Sequence, residues 1–192
     1  MSDAVRSESP FVQVDLDAFN RGLGVQAGVR IEEQPSLGHI NLRGSPGDVF
    51  FLEKSERVLG VALPLTPNST AAGTGAKVFW MGPDEWLLVT PVGDQEKLGD
   101  ELREALTDEF VAVTDVSSGQ TLLSISGENS RRLLSKGCPL DIHPRVFEVG
   151  DCAQTHLAKC GVLLHLVDQA PVFELVVRRS FSDYLGIWLL DA

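Results

Sequence analysis

The sequence predicts an α+β fold made of two similar subdomains with mainly antiparallel sheets and packed helices. Three observations lead to this prediction. Short apolar runs bounded by Gly, Pro and Asp are separated by a few helical patterns, which is typical of antiparallel sheets that carry helices. The order of these elements in residues 25–109 recurs in residues 110–192. With 192 residues, of which 43% are hydrophobic and 22% charged, the chain is long enough to bury a packed core.

The first subdomain is predicted to follow an N-terminal arm, residues 1–24. This arm is polar apart from Phe11, Val12 and Leu16, and we interpret it as a mobile arm that can pack on another surface. Residues 25–33 and 37–44 are predicted to pair as a hairpin around Pro35. A helix is then predicted from the start signal at residues 45–48 to its end at Gly60.

The second part of the first subdomain begins with residues 64–75, which are rich in Pro, Ser, Thr and Gly and are predicted to form a loop. Two strands, residues 77–82 and 85–91, follow around a Gly-Pro-Asp turn. An amphipathic helix is predicted for residues 94–109, with leucines four apart. Its charged face is expected to be solvated and comprises Glu96, Lys97, Asp100, Glu101 and Arg103.

The second subdomain is predicted to repeat this order. The predicted strands are residues 110–116, 120–126, 153–159, 161–167 and 173–179. A short helix ends at Gly137, and Ser180 or Ser182 is predicted to cap the closing helix. A strand, a glycine and a helix occur in this order around both Gly44 and Gly127. The offset of roughly 75–90 residues is longer than a solenoid repeat, so we interpret it as a duplication.

Charge and cysteine content limit the partners and the compartment. The net charge of −11 repels phosphate, so we expect neither nucleic acid nor an anionic membrane as a partner. The apolar runs are too short to span a bilayer, and the first residues do not resemble a secretory signal. Three cysteines, an odd number, fit a reducing compartment, and we predict a cytoplasmic protein.

Three segments carry a resemblance to a known family: residues 82–86 (GPDEW), residues 137–141 (GCPLD) and residues 178–181 (RRSF). Within a match from about Leu37 to Leu190, the chain resembles the gamma subunits of bacterial heterotetrameric sarcosine oxidases. More distantly, residues 114–134 resemble the aminomethyltransferase of the glycine cleavage system and its folate-binding relatives.

This resemblance implies a folate-binding-domain-like duplication and a role as a non-catalytic structural or assembly subunit. The implied complex oxidises sarcosine with O2 to glycine and H2O2, and releases formaldehyde or methylene-tetrahydrofolate. Its partners would be the alpha, beta and delta subunits. The family carries FAD, FMN and NAD in the alpha and beta subunits and zinc in the delta subunit, so no cofactor is expected in this chain.

The alternative is a folate-binding one-carbon aminomethyltransferase-like protein. The resemblance places an acidic pair of those relatives at Leu164 and His165, where this chain has no carboxylate. One-carbon transfer needs a carboxylate near the folate to handle a proton, which disfavours this alternative. A free-standing structural protein is a third possibility.

Two other constellations are candidates for a catalytic or metal site. Asp115, Ser117 and Ser118 lack the G-x-S-x-G elbow of a hydrolase, so a turn with side chain to backbone hydrogen bonds is favoured. Cys152, His156 and Cys160 are four apart, but on a strand such residues are separated by roughly 13 Å, too far for one ion. We therefore predict no catalytic, cofactor-binding or metal residue.

Arginine and aromatic residues are the remaining candidates, since both types dominate the energetics of protein interfaces. The arginines stand out in an acidic chain. Clamping of a ligand carboxylate or phosphate is one interpretation, and pairing with acids at a surface or on a neighbouring subunit is the favoured one. The candidate interface residues are Arg131, Arg132, Arg145, Arg178, Arg179 and Trp86. For the aromatic residues, Trp86 included, packing in the core of the chain is the favoured alternative.

Overall fold

The computed structural model describes residues 8–192, which form two five-stranded antiparallel sheets packed face to face between two layers of helices. The helices are α1 (Leu16–Arg21), α2 (Leu23–Ala27), α3 (Val49–Leu59), α4 (Gln95–Ala105), α5 (Ser130–Ser135) and α6 (Ser182–Asp191). The strands are β1 (Arg30–Gln34), β2 (Gly38–Arg43), β3 (Thr70–Ala72), β4 (Lys77–Gly82), β5 (Glu85–Thr90), β6 (Ala112–Asp115), β7 (Gln120–Ser126), β8 (Cys152–Leu157), β9 (Cys160–Asp168) and β10 (Val172–Arg178).

The two sheets have matching strand orders. The first sheet runs β3-β4-β5-β2-β6 and the second runs β8-β9-β10-β7-β1. In each sheet, the last three strands of one half are followed by the second strand of that half, and the edge position is filled by the first strand of the other half. This shared topology, which exchanges β1 and β6 between the sheets, confirms the predicted duplication. The subdomain limits at residues 24 and 109 stay predictions.

The predicted hairpin between residues 25–33 and 37–44 is wrong. β1 pairs with β7, whereas β2 pairs with β5 and β6, so a turn leads from one sheet into the other. The local pattern of two strands and a turn is the same for a hairpin and for a crossing between sheets, and only the partner strands distinguish them.

Side chains along each strand point alternately to the helix side of its sheet and to the other sheet. In β5, Trp86 and Leu88 belong to the core under α3 and α4, whereas Leu87 and Val89 face the second sheet. A second helix-side core lies between the second sheet and α5 and α6. The space between the sheets holds a smaller apolar core made by Phe79, Leu87, Val89, Leu122, Cys152, Leu163 and Val176.

The predicted start of the helix is confirmed for α3 and is wrong for α6. The carboxylate of Asp48 accepts the backbone N–H groups of Phe50 and Phe51 at 2.9 and 3.3 Å, which starts α3 as predicted. At α6 the predicted serine cap is wrong, because the N-cap residue is Phe181, whose side chain makes no capping hydrogen bond. Ser182 is already inside the helix and its hydroxyl is buried.

The described part of the N-terminal segment, residues 8–24, packs on the helix side of the second sheet, so the surface that it contacts belongs to its own chain. Phe11 and Val14 are buried in the helix-side core of the second sheet, against Gly186 of α6. Residues 1–7 of the predicted arm lie outside the described residues. The loop predicted at residues 64–75 also contains β3, which pairs with β4.

Within residues 8–192, every helix is too short or too polar to cross a membrane.

Candidate functional site

The face between the two sheets contains the position where the folate-binding relatives are expected to have acids. Leu164 and His165 are neighbours in β9 and therefore point to opposite faces of the second sheet. Leu164 is buried in the helix-side core. His165 is directed at the first sheet, where the edge of its ring meets the Phe79 ring at a centroid distance of 5.2 Å.

His165 belongs to a polar cluster that links the sheets, in which His165 and Glu174 are buried and the Lys77 side chain is 42% exposed. Oε2 of Glu174, on β10, lies 3.1 Å from Nδ1 of His165, and Oε1 accepts a hydrogen bond from Nζ of Lys77 at 2.6 Å. Lys77 is on β4 of the first sheet, so the carboxylate joins both layers. Burial raises the pKa of Glu174, but the hydrogen bonds from His165 and Lys77 outweigh burial and leave that pKa below its ordinary value.

Glu174 is the residue that sequence reasoning missed. A single acid inside an apolar strand (FELVV) was the available signal, because a buried carboxylate is expected to have a partner. Both carboxylate oxygens are engaged by Lys77 and His165. The cluster is therefore arranged to hold two sheets together rather than to accept a proton from a substrate.

A cavity of about 360 Å3 opens beside this cluster at one end of the inter-sheet space. Leu87 and Leu163 line it, together with the polar residues Gln120, Gln154 and Arg178. Nε2 of Gln154 donates to the carbonyl of Met81, which crosses from the second sheet to the first. No acid among the described residues lines the cavity, so it lacks the carboxylate that one-carbon transfer requires.

Asp115, Ser117 and Ser118 lie in the turn that the sequence favoured. Oδ1 of Asp115 accepts hydrogen bonds from the backbone N–H and the hydroxyl of Ser117, at 2.8 and 2.5 Å. The Ser117 hydroxyl in turn accepts the backbone N–H of His39 at 2.9 Å. These bonds fix a 3-10 turn (Ser117–Gly119) between β6 and β7, which confirms the prediction of a turn.

Cys152, His156 and Cys160 are not brought together. Cys152 is buried between the sheets, Cys160 is buried on the helix side of the second sheet, and His156 is exposed. Burial raises the pKa of the Cys152 thiol to about 12 and also raises the pKa of Cys160. Over residues 8–192, no three His, Cys, Asp or Glu side chains are grouped as metal ligands.

Two of the predicted interface residues serve the fold of their own chain. Trp86 is wrong as an interface residue, because it is fully buried and its Nε1 donates to the carbonyl of Pro64 at 2.8 Å. The Arg131 guanidinium lies 5.1 Å from the centre of the Phe173 ring and donates to the carbonyl of Ile142, and burial lowers its pKa.

The other four arginines have exposed side chains at different places. Arg132 lines a groove beside α6, and Arg178 lines the inter-sheet cavity. Arg179 donates to the carbonyl of Glu8 at 3.3 Å, and Arg145 lies in the loop before β8. Their role in an interface stays a prediction.

This duplicated architecture defines the class of the protein, an α+β scaffold of the aminomethyltransferase-like folate-binding fold. Its structure is similar to that of aminomethyltransferase T of the glycine cleavage system from Bartonella henselae, with a TM-score of 0.68. The two are 14% identical, and the match covers 88% of this chain and 47% of that one. At this identity the similarity shows the fold alone.

The chain belongs to the sarcosine oxidase gamma subunit family, whose sequence model matches residues 43–192. It is 36% identical over 165 residues to the sarcosine oxidase subunit gamma of Corynebacterium sp. (strain P-1), covering 85% of this chain and 79% of that protein. The subunit gamma of an Arthrobacter species is 38% identical over 154 residues, covering 80% and 74%.

A solved structure supports the same family. The heterotetrameric sarcosine oxidase from Corynebacterium sp. U-96, in complex with pyrrole 2-carboxylate, contains a chain that matches with a TM-score of 0.82 and 30% identity. The match covers 97% of this chain and 93% of that chain. The resemblance that the sequence motifs indicated is thereby confirmed.

Proposed function

We propose that this chain is a non-catalytic structural subunit of a heterotetrameric sarcosine oxidase, where it holds the alpha, beta and delta subunits in position. Membership in the gamma subunit family is the observation that carries the proposal. The inter-sheet face supports it, because the positions expected to hold acids are Leu164 and His165. The nearest carboxylate, Glu174, is engaged by Lys77 and His165.

The reaction of the proposed complex is the oxidation of sarcosine by O2 to glycine and H2O2, with formaldehyde or methylene-tetrahydrofolate as the one-carbon product. FAD, FMN, NAD and zinc are proposed to reside in the partner subunits, and the complex is proposed to be cytoplasmic. The role of this chain is then to provide protein contacts, and its own polar cluster provides internal stability.

Expressing the partner subunits with and without this chain tests the assembly role. We expect a single complex with flavin absorbance and sarcosine-dependent H2O2 production when the chain is present, and a smaller or less active assembly when it is omitted. Partners that reach the same mass and the same activity per flavin without the chain contradict the proposal.

A second experiment tests whether this chain takes part in chemistry. Complexes containing Glu174→Gln, normalised by flavin absorbance, are expected to keep the kcat of the unmodified complex, because Glu174 is buried between the two sheets and engaged by Lys77 and His165. A large loss of kcat in an assembled complex means that the cluster is catalytic. Micromolar binding of a reduced folate by the isolated chain favours the one-carbon transferase alternative.

A further inference from the structure

The closing helix, α6, is apolar on both of its faces. Leu185 and Leu189 are buried in the helix-side core. On the outer side of the helix, Tyr184 and Ile187 expose 40% and 66% of their surfaces, and Phe181, which lies just before the helix, exposes 39%. Their spacing of three residues places them in one stripe. Large apolar side chains that are exposed next to one another indicate an interaction surface, so the outer face of α6 lacks its cover.

The helix α4 of the same protein shows the ordinary pattern. Leu98 and Leu102 are buried, whereas the predicted charged face of the helix is exposed, as expected. On that face Lys97 and Glu101 pair at 3.9 Å, and Arg103 pairs with Asp100. Exposed apolar side chains on the outer face of a helix are therefore a property of α6 and are not shared by α4.

A groove of about 440 Å3 continues this apolar surface between α2, α5 and α6. Its walls include Phe19, Leu133 and Leu189. Leu23 at its edge is exposed, although it is a large apolar residue. Because Leu189 and Leu190 of α6 line the groove, the groove and the outer stripe adjoin. The volume is sufficient for a few apolar side chains of another protein.

The charge around this surface differs from that of the whole chain. Arg132 and Lys136 lie on the rim of the groove, and Arg179 precedes α6. None of the three forms a salt bridge with an acid of residues 8–192. In a chain of net charge −11, exposed cations without acidic partners beside an apolar groove match an acidic counterpart. The acids of α6, Asp183 and Asp191, lie four residues before and after Ile187, so they share the outer face of the helix at its two ends, away from the cations of the groove.

We propose that the outer stripe of α6 and the adjoining groove form the docking surface for one of the larger oxidase subunits. This subunit inserts apolar side chains between α2, α5 and α6 and places acidic residues against Arg132 and Lys136. The inference rests on the proposed function, because it takes the occupant to be a subunit of the same complex. The inference specifies which surface of this chain the partner covers and which types of residue the partner places there.

A second apolar patch is the alternative candidate for the docking surface. Phe50 and Phe110 are exposed on the other helix layer, beside the ion pair of Lys54 and Glu109 at 2.6 Å. The neighbouring residues Glu53 and Asp108 are acidic and exposed. This patch therefore fits a basic counterpart. If the helix layer that contains α3 and α4 faces the partner, Phe50 and Phe110 should become protected from solvent when the complex assembles.

Hydroxyl-radical footprinting of the intact complex and of the isolated chain distinguishes the two layers. We expect oxidation of Tyr184 and Ile187 to fall at least about fivefold on assembly, because a desolvated interface core excludes the solvent radical. Phe50 and Phe110 are expected to stay equally reactive. Protection of Phe50 and Phe110 with unchanged reactivity of Tyr184 and Ile187 overturns the inference, even though the chain assembles.

Substitutions test the same surface by affinity. Ile187→Glu is expected to weaken co-purification with the tagged partner subunits at least about tenfold, because it places a charge in the centre of an apolar contact. Val92→Glu is the matched control, since Val92 is 63% exposed and precedes α4 on the other helix layer. Equal retention of both variants overturns the inference.

Charge reversal tests the acidic character of the partner. Arg132→Glu combined with Lys136→Glu is expected to weaken assembly, whereas Lys97→Glu on α4 leaves it unchanged. If the wild-type chain itself fails to join the complex, the proposed function fails and not only the docking surface. Sedimentation of the isolated chain is expected to show a monomer. If the isolated chain is instead a dimer, and Ile187→Glu makes it a monomer, the surface binds a second copy of this chain.

Discussion

Nζ of Lys77 lies 2.6 Å from Oε1 of Glu174, and this contact joins the two sheets across their interface. Lys77 is on β4 of the first sheet and Glu174 is on β10 of the second. His165 occupies the other carboxylate oxygen at 3.1 Å. Because the surrounding inter-sheet core is apolar, these directional contacts restrict how one sheet sits on the other.

The first prediction concerns the stability that this cluster provides. Glu174→Gln removes the negative charge and leaves Lys77 and His165 beside a neutral amide. We expect the free energy of unfolding to fall by about 1–3 kcal/mol, since one member of a buried polar network is replaced. Urea denaturation of the isolated chain measures it. Glu104→Gln, at an exposed position of α4, is the control and is expected to change stability by less than about 0.5 kcal/mol.

The second prediction gives the pH dependence of the same contribution. The pKa of Glu174 is lowered in the folded protein, so the folded state keeps the carboxylate ionised where the unfolded chain binds a proton. Its contribution is complete above the ordinary glutamate pKa of about 4.3 and is lost as the pH falls through and below that value.

The stability difference between the wild-type chain and Glu174→Gln should therefore shrink as the pH falls from neutrality to about 3. Burial lowers the pKa of His39 and adds a separate loss of stability in acid, but His39 is present in both proteins and cancels from the difference. A difference that stays constant or grows in acid contradicts the assignment.

The third prediction tests the packing of the N-terminal segment on α6. A Cβ at Gly186 would lie 2.7 Å from Cγ2 of Val14 and 3.1 Å from Cδ1 of Phe11, so Gly186→Ala must displace this segment. We expect a loss of about 1–3 kcal/mol in thermal or urea unfolding, although alanine is the better helix former.

Gly99→Ala is the matched control for this substitution. Gly99 is a buried glycine of α4, but its added Cβ would meet only the Arg103 side chain, at 3.4 Å or more. There the gain in helix propensity, up to about 1 kcal/mol, is expected to dominate. If both variants change stability in the same direction and by the same amount, the segment does not pack on α6 as described.

The fourth prediction concerns Asn20, whose amide covers the free edge of the second sheet. Its Nδ2 donates to the carbonyl of Ile31 at 2.7 Å, and its Oδ1 accepts the backbone N–H of Ile31 at 2.9 Å. Asn20→Ala leaves both groups of β1 without this partner, and we expect a loss of about 1–2 kcal/mol.

Exposing an edge strand also favours pairing with a second chain, so light scattering should show more self-association for Asn20→Ala. Gln13→Ala, at an exposed position of the same segment, is the control and should change neither property. Unchanged unfolding and unchanged scattering for Asn20→Ala would show that the edge does not depend on this amide.

The fifth prediction concerns thiol reactivity. Cys138 is partly exposed, whereas Cys152 and Cys160 are buried and their pKa values are raised by burial. A chromogenic disulfide reagent should titrate one thiol rapidly in the native chain and all three after denaturation. Cys138→Ser should remove the rapid phase. Rapid reaction of two or three thiols in the native protein contradicts this burial.

Much of the fold could be predicted because the signals were local. Asp48 and Gly60 delimit α3 through a side-chain cap and a left-handed residue with φ of 70°, and neither depends on distant residues. Gly127, with φ of 107°, follows β7 just as Gly44 follows β2, so the repeated strand, glycine and helix identified the duplication. The family motifs are also read directly from the sequence.

The errors in the prediction arose where local patterns are ambiguous. β1 and β2 were predicted to pair with each other because a hairpin and a crossing share the same alternation. Phe11 and Val14 were assigned to a mobile arm because their burial depends on Gly186, which lies far along the chain. Trp86 was considered for an interface, although alternation along β5 directs it into the core.

The sequence by itself therefore determined the repeated elements, the helix limits of α3 and the family, because each depends on residues close in the chain. Only the tertiary structure decided which sheet receives β1, that Glu174 meets Lys77 across the interface, and that Phe181, Tyr184 and Ile187 remain uncovered. Those outcomes depend on contacts between residues far apart in sequence, and hydrophobicity along a single chain does not specify which apolar face meets which.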